Sequence, residues 1–402
     1  MTESAQDRAT SIGSSHLQTD PEDDVRWEAV RPRSLSLAQW DRFEGYVREI
    51  FEAFGMDLET PGTKDTPSRF LRALLDSTDG LRLERTARAM GLAIGVDIGG
   101  TKVAAGLVDD DGRILSRLRH DTPAHDPAAT EDVIADCIQA LAAEHQVEAA
   151  GLGAAGFVDA ARSTVLFAPN LAWRNEPLRA AVEQRTGLPV VVENDANAAA
   201  WGETRFGAGH GQPHTVTLTV GTGLGGGVVL GGELVRGAFG AAAEVGHVTL
   251  VPDGRPCGCG NAGCWEQYAS GRALVTEAGQ RAAASPEQAG LLLELAGGQA
   301  DAITGPMVTM GAIAGDPVAL ESFRAVGAWL GHGMAALAAI LDPRVFIIGG
   351  GVSEAGELLV GPARETFQAN LTARGHRPTA AVRVAQLGQD AGLIGAADLA
   401  RR

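Results

Sequence analysis

Three short stretches of the chain carry the residue types that chemistry needs. Residues 95–102 read Gly-Val-Asp-Ile-Gly-Gly-Thr-Lys. The bare backbone at Gly99 and Gly100 can converge on an anion, and Asp97, Thr101 and Lys102 add an acid, a hydroxyl and an ammonium. Lys102 is the sole lysine after residue 90. The same residues also suit the tip of an ordinary hairpin. A second glycine turn, Gly221-Thr222-Gly223-Leu224-Gly225-Gly226-Gly227, repeats the arrangement. The second stretch, 244–266, spaces His247, Cys257, Cys259 and Cys264 as His-x9-Cys-x-Cys-x4-Cys. One imidazole and three thiolates close a tetrahedral zinc shell with no open position, so the metal is expected to be structural. Such an ion pins Glu244 and Glu266 in place, and fixed carboxylates are good acceptors for sugar hydroxyls. Each glutamate alone also reads as a solvated surface charge. In the third stretch, the apolar run Val190-Val191-Val192 ends in Glu193-Asn194-Asp195. Asn194 and Asp195 suit a helix cap. At a strand end facing a phosphate cleft, Asp195 can also take a proton from a substrate hydroxyl.

The elements that must position these residues alternate. Strand patterns fall at 92–97, 103–109, 113–120, 149–154, 163–167, 189–193, 214–220, 226–231, 246–250, 345–349 and 380–385. Helical patterns fall near 128–144, 176–186, 195–206, 267–283, 317–341, 355–372 and 390–400. A strand-hairpin-strand unit followed by alternating helices and strands starts at 92 and again at 214. Two similar α/β lobes, each with a phosphate-sized turn, imply a cleft spanned by a nucleotide. The Ala/Gly/Gln-rich stretch 284–305 reads as an exposed loop insertion. Cys137 sits mid-helix among apolar residues and reads as core packing.

Composition bounds the class. The chain has 402 residues, 45% hydrophobic and 21% charged, with a formal charge of −17. Residues 1–89 hold 12 Lys/Arg against 17 Asp/Glu, so both parts of the chain are acidic. Neither is suited to nucleic acid or an anionic membrane. The polar start carries no signal-peptide core, and no segment reads as the ~20 unbroken apolar residues of a membrane helix. Crowded cysteines fit a reducing cytoplasm.

The chain divides near residue 90. Residues 1–37 are polar and expected to be disordered. Residues 38–89 form a helical extension, with Trp40, Phe43, Val47, Ile50, Phe51 and Phe54 at helical spacing and a helix start at Asp65-Thr66-Pro67. Ile50 to Gly80, above all Pro61-Gly62-Thr63-Lys64-Asp65-Thr66-Pro67-Ser68-Arg69, resembles the N-terminal helical part of GTP cyclohydrolase I. That family's zinc site and pterin-forming domain do not follow, so no such activity is assigned. Met90-Gly91-Leu92-Ala93-Ile94 has the form of a chain start. The first 89 residues then read as an appended segment or the product of a misplaced start codon, which intact mass distinguishes.

From Met90 to the C-terminus the chain resembles the ROK family of sugar kinases, within the hexokinase–actin ATPase fold. Its likeness is greatest to bacterial ATP-dependent glucokinases of actinobacterial type. The matching stretches are Asp97-Ile-Gly-Gly-Thr-Lys102, Ala168-Pro-Asn170, Glu193-Asn-Asp-Ala-Asn197, Gly221 to Gly227, Glu244-Val-Gly-His247, Cys257 to Cys264, Trp265-Glu-Gln-Tyr-Ala-Ser-Gly271 and Gly349-Gly-Gly351. The resemblance implies a two-lobed actin-like α/β ATPase fold (hexokinase/ribonuclease H-like) with a zinc-stabilised loop. The small lobe is expected at 90–210 and the large lobe at 211–402, the C-terminal helix packing back on the small lobe. It implies phosphorylation of the glucose 6-hydroxyl by ATP, with Asp195 as general base. Asn170, Asn194, Glu244, His247 and Glu266 are implied to hold the sugar, His247 also binding zinc. Gly99, Gly100, Thr101, Lys102, Gly221, Thr222 and Gly223 are implied to hold the ATP phosphates. Asp97 is implied to orient Mg²⁺, and Gly349, Gly350 and Gly351 to border the adenosine. A homodimer or homotetramer is the default assembly. The alternatives are a kinase for another hexose or an N-acetylhexosamine, a polyphosphate-using glucokinase, and a sugar-responsive ROK transcriptional regulator.

Overall fold

The computed structural model describes residues 91–402 continuously and, before them, residues 34–35, 37–55, 57–58, 63, 66–68, 70 and 82–83. The chain forms two compact units, Met1–Ala89 and Met90–Arg402. In the first, strands β1 (Ser34–Leu35) and β2 (Arg82–Leu83) pair in parallel. Helix α1 (Leu37–Ala53) buries Trp40 and Val47 and leaves Ile50 exposed, as is Phe54 just beyond its end. Phe51 meets Phe70 edge-on at 5.4 Å. The expected tail and most of the cyclohydrolase-like stretch lie outside the described residues.

The second unit is built on two sheets of one plan. Strands β3 (Leu92–Ile98), β4 (Lys102–Val108) and β5 (Ile114–Asp121) form an antiparallel meander. Strands β6 (Val147–Ala154) and β10 (Val190–Asn194) add in parallel beside β3, giving the order β10-β6-β3-β4-β5. Three short strands, β7 (Phe157–Val158), β8 (Val165–Phe167) and β9 (Arg174–Glu176), make a side sheet. The plan then repeats. Strands β11 (Thr215–Val220), β12 (Leu224–Leu230) and β13 (Glu233–Leu234) form the meander, and β14 (Val345–Gly349) and β15 (Ala381–Val384) add in parallel beside β11. Near-continuous apolar runs such as Val345–Ile348 suit strands covered on both faces.

Helices cover the sheets: α2 (Pro127–Ala142), α3 (Leu178–Thr186), α4 (Asp195–Phe206), α5 (Gly271–Ala284), α6 (Gly290–Leu295), α7 (Gly305–Ile313), α8 (Pro317–Leu341), α9 (Glu357–Asn370) and α10 (Ala391–Ala400). Starts follow local chemistry. Asp126 caps α2 through the Ala129 amide and Asp316 caps α8 through the Ala319 amide, each followed by proline at the first helical position. One core gathers Ile94, Val96, Leu152, Ile134, Cys137 and Trp173. The other gathers Val216, Leu218, Phe323, Leu330, Phe346 and Phe367. Helix α8 has the length and apolarity of a membrane span, but it packs against α9, α5 and α7 inside the protein.

Two expectations fail. Residues 246–250 do not form a strand. Val245–His247 is a 3₁₀ turn, and only an isolated Thr249–Cys264 bridge follows, because the segment bends around the cysteine cluster. Residues 284–305 are not an exposed loop. They carry α6 and two 3₁₀ turns and bury Ala289, Leu292, Ala296 and Ile303 in the second core. Their small apolar residues were packing, not linker.

Helix α10 packs on β3, β6 and α4 through glycines. A Cβ on Gly95 falls 1.9 Å from Leu393 O, one on Gly151 falls 1.8 Å from Ala396 O, and one on Gly395 falls 1.8 Å from Ala198 O. Gly395→Ala gains about 1 kcal/mol of helix propensity but drives a methyl into backbone. Overpacking costs about 1–3 kcal/mol or more, so a net loss is expected in urea denaturation. An unchanged midpoint contradicts the close crossing of α4 and α10.

Candidate functional site

Asp195 is the first residue of α4, immediately beyond β10. Asn194 caps the helix, its Oδ1 accepting from the Asn197 amide at 3.0 Å. Its Nδ2 donates to Asp195 Oδ1 at 3.0 Å and to Gly156 O at 3.1 Å. Asn194 therefore caps the helix and also aims the carboxylate. Burial pushes the Asp195 carboxyl up, against the backbone amides of Ala196 and Asp195 and the Asn194 amide, which favour its charged form. Asp97, near the end of β3, is pushed up to about 6 by burial and, secondly, by Asp195. Two carboxylates thus lie close enough to repel each other.

Glu193 supports this loop from behind. It is 1% exposed, its Oε1 accepts the Asn194 amide at 3.0 Å and Asn197 Nδ2 at 3.2 Å, and its Oε2 lies 2.7 Å from Arg236 Nε and 3.3 Å from Arg162 Nε. Arg236 also donates to Asp159 O and Ala160 O, both at 2.8 Å.

Glu244, His247 and Glu266 arrive on two 3₁₀ turns, Val245–His247 and Trp265–Gln267. Gly246 lets the first turn lie under β12, since a Cβ there falls 2.0 Å from Leu224 O. Trp265 is buried, and its Nε1 bonds Trp329 O on α8 at 2.8 Å. Burial pushes Glu244 up. His247 opposes the shift, and Asp195 and Glu266 add to it. These acids therefore share one anionic space.

His247, Cys257, Cys259 and Cys264 bring their donor atoms within 4.8 Å of one another. His247 Nδ1 lies 3.7 Å from Cys257 Sγ, and Cys259 Sγ lies 3.6 Å from Cys264 Sγ. Zinc bonds of about 2.0–2.3 Å make tetrahedral edges of roughly 3.4–3.8 Å, so these two pairs match that ion, and one imidazole with three thiols is a donor set of the kind it takes. Cys257 Sγ also lies 3.2 Å from Glu266 Oε1, tying the cluster to the cavity wall. Cys259→Ser removes one donor of the set, so it is expected to lose bound metal in metal analysis and, by loosening Glu266 beside Cys257, to weaken sugar binding. A metal-free variant with normal sugar affinity refutes the coupling.

A cavity of about 370 Å³ unites Asn170, Asn194, Asp195, Glu244, His247 and Glu266. It shares Pro169 and Asn170 with a second cavity of about 720 Å³ that reaches Gly100, Thr101, His125 and Arg174. It shares Gly221 with a third of about 1000 Å³, lined by Thr222, Gly271, Arg272, Thr276, Met310, Gly351 and Glu354 among others. Each hairpin uses its first glycine amide internally, Gly99 N donating to Lys102 O at 2.9 Å and Gly221 N to Gly223 O at 3.0 Å. Those first amides serve the turns.

The six residues expected from sequence to hold the sugar, Asn170, Asn194, Asp195, Glu244, His247 and Glu266, all line the central cavity. Gly100, Thr101, Gly221, Thr222, Gly223, Gly350 and Gly351 line it or its neighbours. Asp97 sits beside Asp195 without lining these cavities. Gly99 and Lys102 lie within the first hairpin, Lys102 exposed, and Gly349 is buried in β14; none of the three lines them. Sequence reasoning missed the arginines behind Glu193, although an acid ending an all-valine strand signals a buried partner. It also missed α7, whose residues Pro306, Thr309 and Met310 wall the large cavity. Gly305–Ile313 is apolar on all sides and shows no helical stripe.

Paired sheets of one plan, each turning a glycine hairpin toward a shared cleft, define an actin-like ATPase fold. The ROK family model matches residues 93–402, and the chain belongs to the ROK family. It is 55% identical over 312 residues to a glucokinase of Streptomyces coelicolor, covering 78% of this chain and 98% of that enzyme. It is 39% identical over 310 residues to a glucokinase of Thermotoga maritima, covering 76% and 96%. A ROK family glucokinase from Streptomyces griseus, solved in complex with glucose and AMPPNP, matches with a TM-score of 0.70 at 58% identity, covering 77% of this chain and 99% of that one.

Proposed function

We infer that this chain is a glucokinase, transferring the terminal phosphoryl group of ATP to the 6-hydroxyl of glucose. The observation that carries the reading is the central cavity, where Asp195 meets Asn170, Asn194, Glu244, His247 and Glu266, in a chain similar to a glucokinase over 98% of that enzyme. Asn170, Asn194, Glu244, His247 and Glu266 hold the sugar hydroxyls. Asp195 accepts the proton of the attacking hydroxyl, and its raised pKa makes it a stronger base than an ordinary carboxylate. The hairpin residues Gly100–Thr101 and Gly221–Gly223 receive the phosphates from opposite sides, and the large cavity takes the nucleoside beside Gly350 and Gly351. Mg²⁺, when bound near Asp97, neutralises phosphate charge. Zinc at His247, Cys257, Cys259 and Cys264 is structural. A homodimer or homotetramer in the cytoplasm completes the reading, with neither nucleic acid nor membrane as partner.

The test is coupled ADP release with a panel of hexoses and N-acetylhexosamines, run with ATP and with polyphosphate. Glucose with ATP is expected to be the best pair. A faster rate with another sugar, or with polyphosphate, overturns the assignment.

A further inference from the structure

The central cavity is lined by three carboxylates, those of Asp195, Glu244 and Glu266, and no lysine or arginine. A nucleotide triphosphate must bring several more negative charges to its edge. Among the residues lining the adjoining large cavity, Arg272 alone carries a permanent positive charge. Lys102 lines neither cavity. On the far side, Arg174 Nη1 is committed to the carbonyls of Ala168 and Leu171, at 2.9 and 3.2 Å.

Arg272 is the second residue of α5, whose start is bolted to the second hairpin by a 2.7 Å bond from Gly271 N to Gly221 O. Its Nε donates to Thr222 O at 3.2 Å, and its Nη2 lies 3.7 Å from Glu266 Oε1. The side chain is 63% exposed, so this ion pair is weak and easily exchanged. The same Glu266 Oε1 also accepts from Gln267 Nε2 at 3.1 Å. Glu266 Oε2 would lie 2.8 Å from a Cβ on Gly223, directly over the hairpin. One guanidinium therefore touches both the phosphate turn and a sugar-site carboxylate, at a helix start that itself favours anions.

We propose that Arg272 binds the nucleotide's phosphates and couples them to the sugar site through Glu266. This rests on the kinase reading above. Without nucleotide the guanidinium pairs with Glu266 and competes with a sugar hydroxyl for that acceptor. Phosphate, which a guanidinium binds more strongly and in bidentate geometry, draws it away and frees Glu266 for the sugar. Nucleotide and sugar then raise each other's affinity by the same factor.

The experiment is calorimetric titration of glucose into the full chain with Mg²⁺, with and without AMPPNP, for wild type, Arg272→Gln and Arg272→Lys, alongside steady-state kinetics. In the wild type AMPPNP is expected to tighten glucose at least about fivefold. In Arg272→Gln that factor falls below about twofold, and glucose binding without nucleotide tightens toward the affinity of the AMPPNP-bound wild type, because the competitor for Glu266 is gone. KM for ATP rises about tenfold, the scale of one charge-assisted bond, and kcat falls less than KM rises. Arg272→Lys, which keeps the charge but not the fork, recovers part of the coupling and serves if the glutamine variant is poorly folded. Undiminished coupling in Arg272→Gln, or none in the wild type, overturns the proposal. A wild-type chain that binds no glucose overturns the kinase reading itself.

Discussion

Asp195→Asn is expected to bind glucose with near-wild-type affinity while its turnover falls by about 10²–10⁴, the usual contribution of a positioned base. The amide is isosteric, Asn194 still caps α4, and the remaining polar side chains of the cavity are untouched. The variant is also expected to be more stable than wild type at pH 7–8. Burial raises the Asp195 pKa, so ionisation of this group costs folding free energy. The sign follows from the raised value. The cost is absent below the ordinary carboxylate pKa and grows as pH rises above it. The gain in Tm is therefore expected at pH 7–8 and should vanish near pH 3–4. A purely structural aspartate gives the opposite pattern, with stability and activity lost together. Turnover within threefold of wild type removes Asp195 from the mechanism.

The second large effect lies behind Glu193, two residues earlier in sequence. Arg236→Ala is expected to cost about 3–5 kcal/mol in urea denaturation, the range for breaking a buried ion pair from one side. Glu193 is 1% exposed and keeps only Arg162, at 3.3 Å and itself partly exposed. The Ala160 carbonyl loses its side-chain donor as well, and Asp159 O keeps only the Arg162 amide. Replacing both partners, Glu193→Gln with Arg236→Met, should destabilise less than Arg236→Ala alone, because no unpaired charge is left buried. A single variant within 1 kcal/mol of wild type shows that Glu193 finds solvent or another cation. Glu193 holds the Asn194 amide, so activity should fall beyond what the unfolded fraction explains.

The repeated plan was legible because its signals are local. Glycine hairpins between apolar runs mark β3–β4 and β11–β12, and the proline after Asp316 marks the start of α8. The cavity residues were legible for a related reason: they sit at strand and helix ends in contiguous motifs. What failed depended on packing partners. Residues 284–305 look like a linker until Leu292 and Ile303 meet the core. The turn at Val245–His247 follows from how closely Gly246 approaches Leu224, which no pattern within the segment encodes. Lys102 stood out by rarity, yet the chain placed it in the first hairpin away from the cavities. Arg272 was one arginine among many until α5 set it between Thr222 and Glu266.

The placement of α10 bears on how the protein is made. The first sheet is complete in sequence at Asn194, but the helix seated on β3 and β6 ends at Ala400. At about 5–20 residues per second, synthesis leaves that apolar face uncovered for roughly 10–40 s after its strands have left the ribosome. The first sheet must wait for α10 to be translated before that face can close, so a nascent chain stalled or clipped before it is a sticky one.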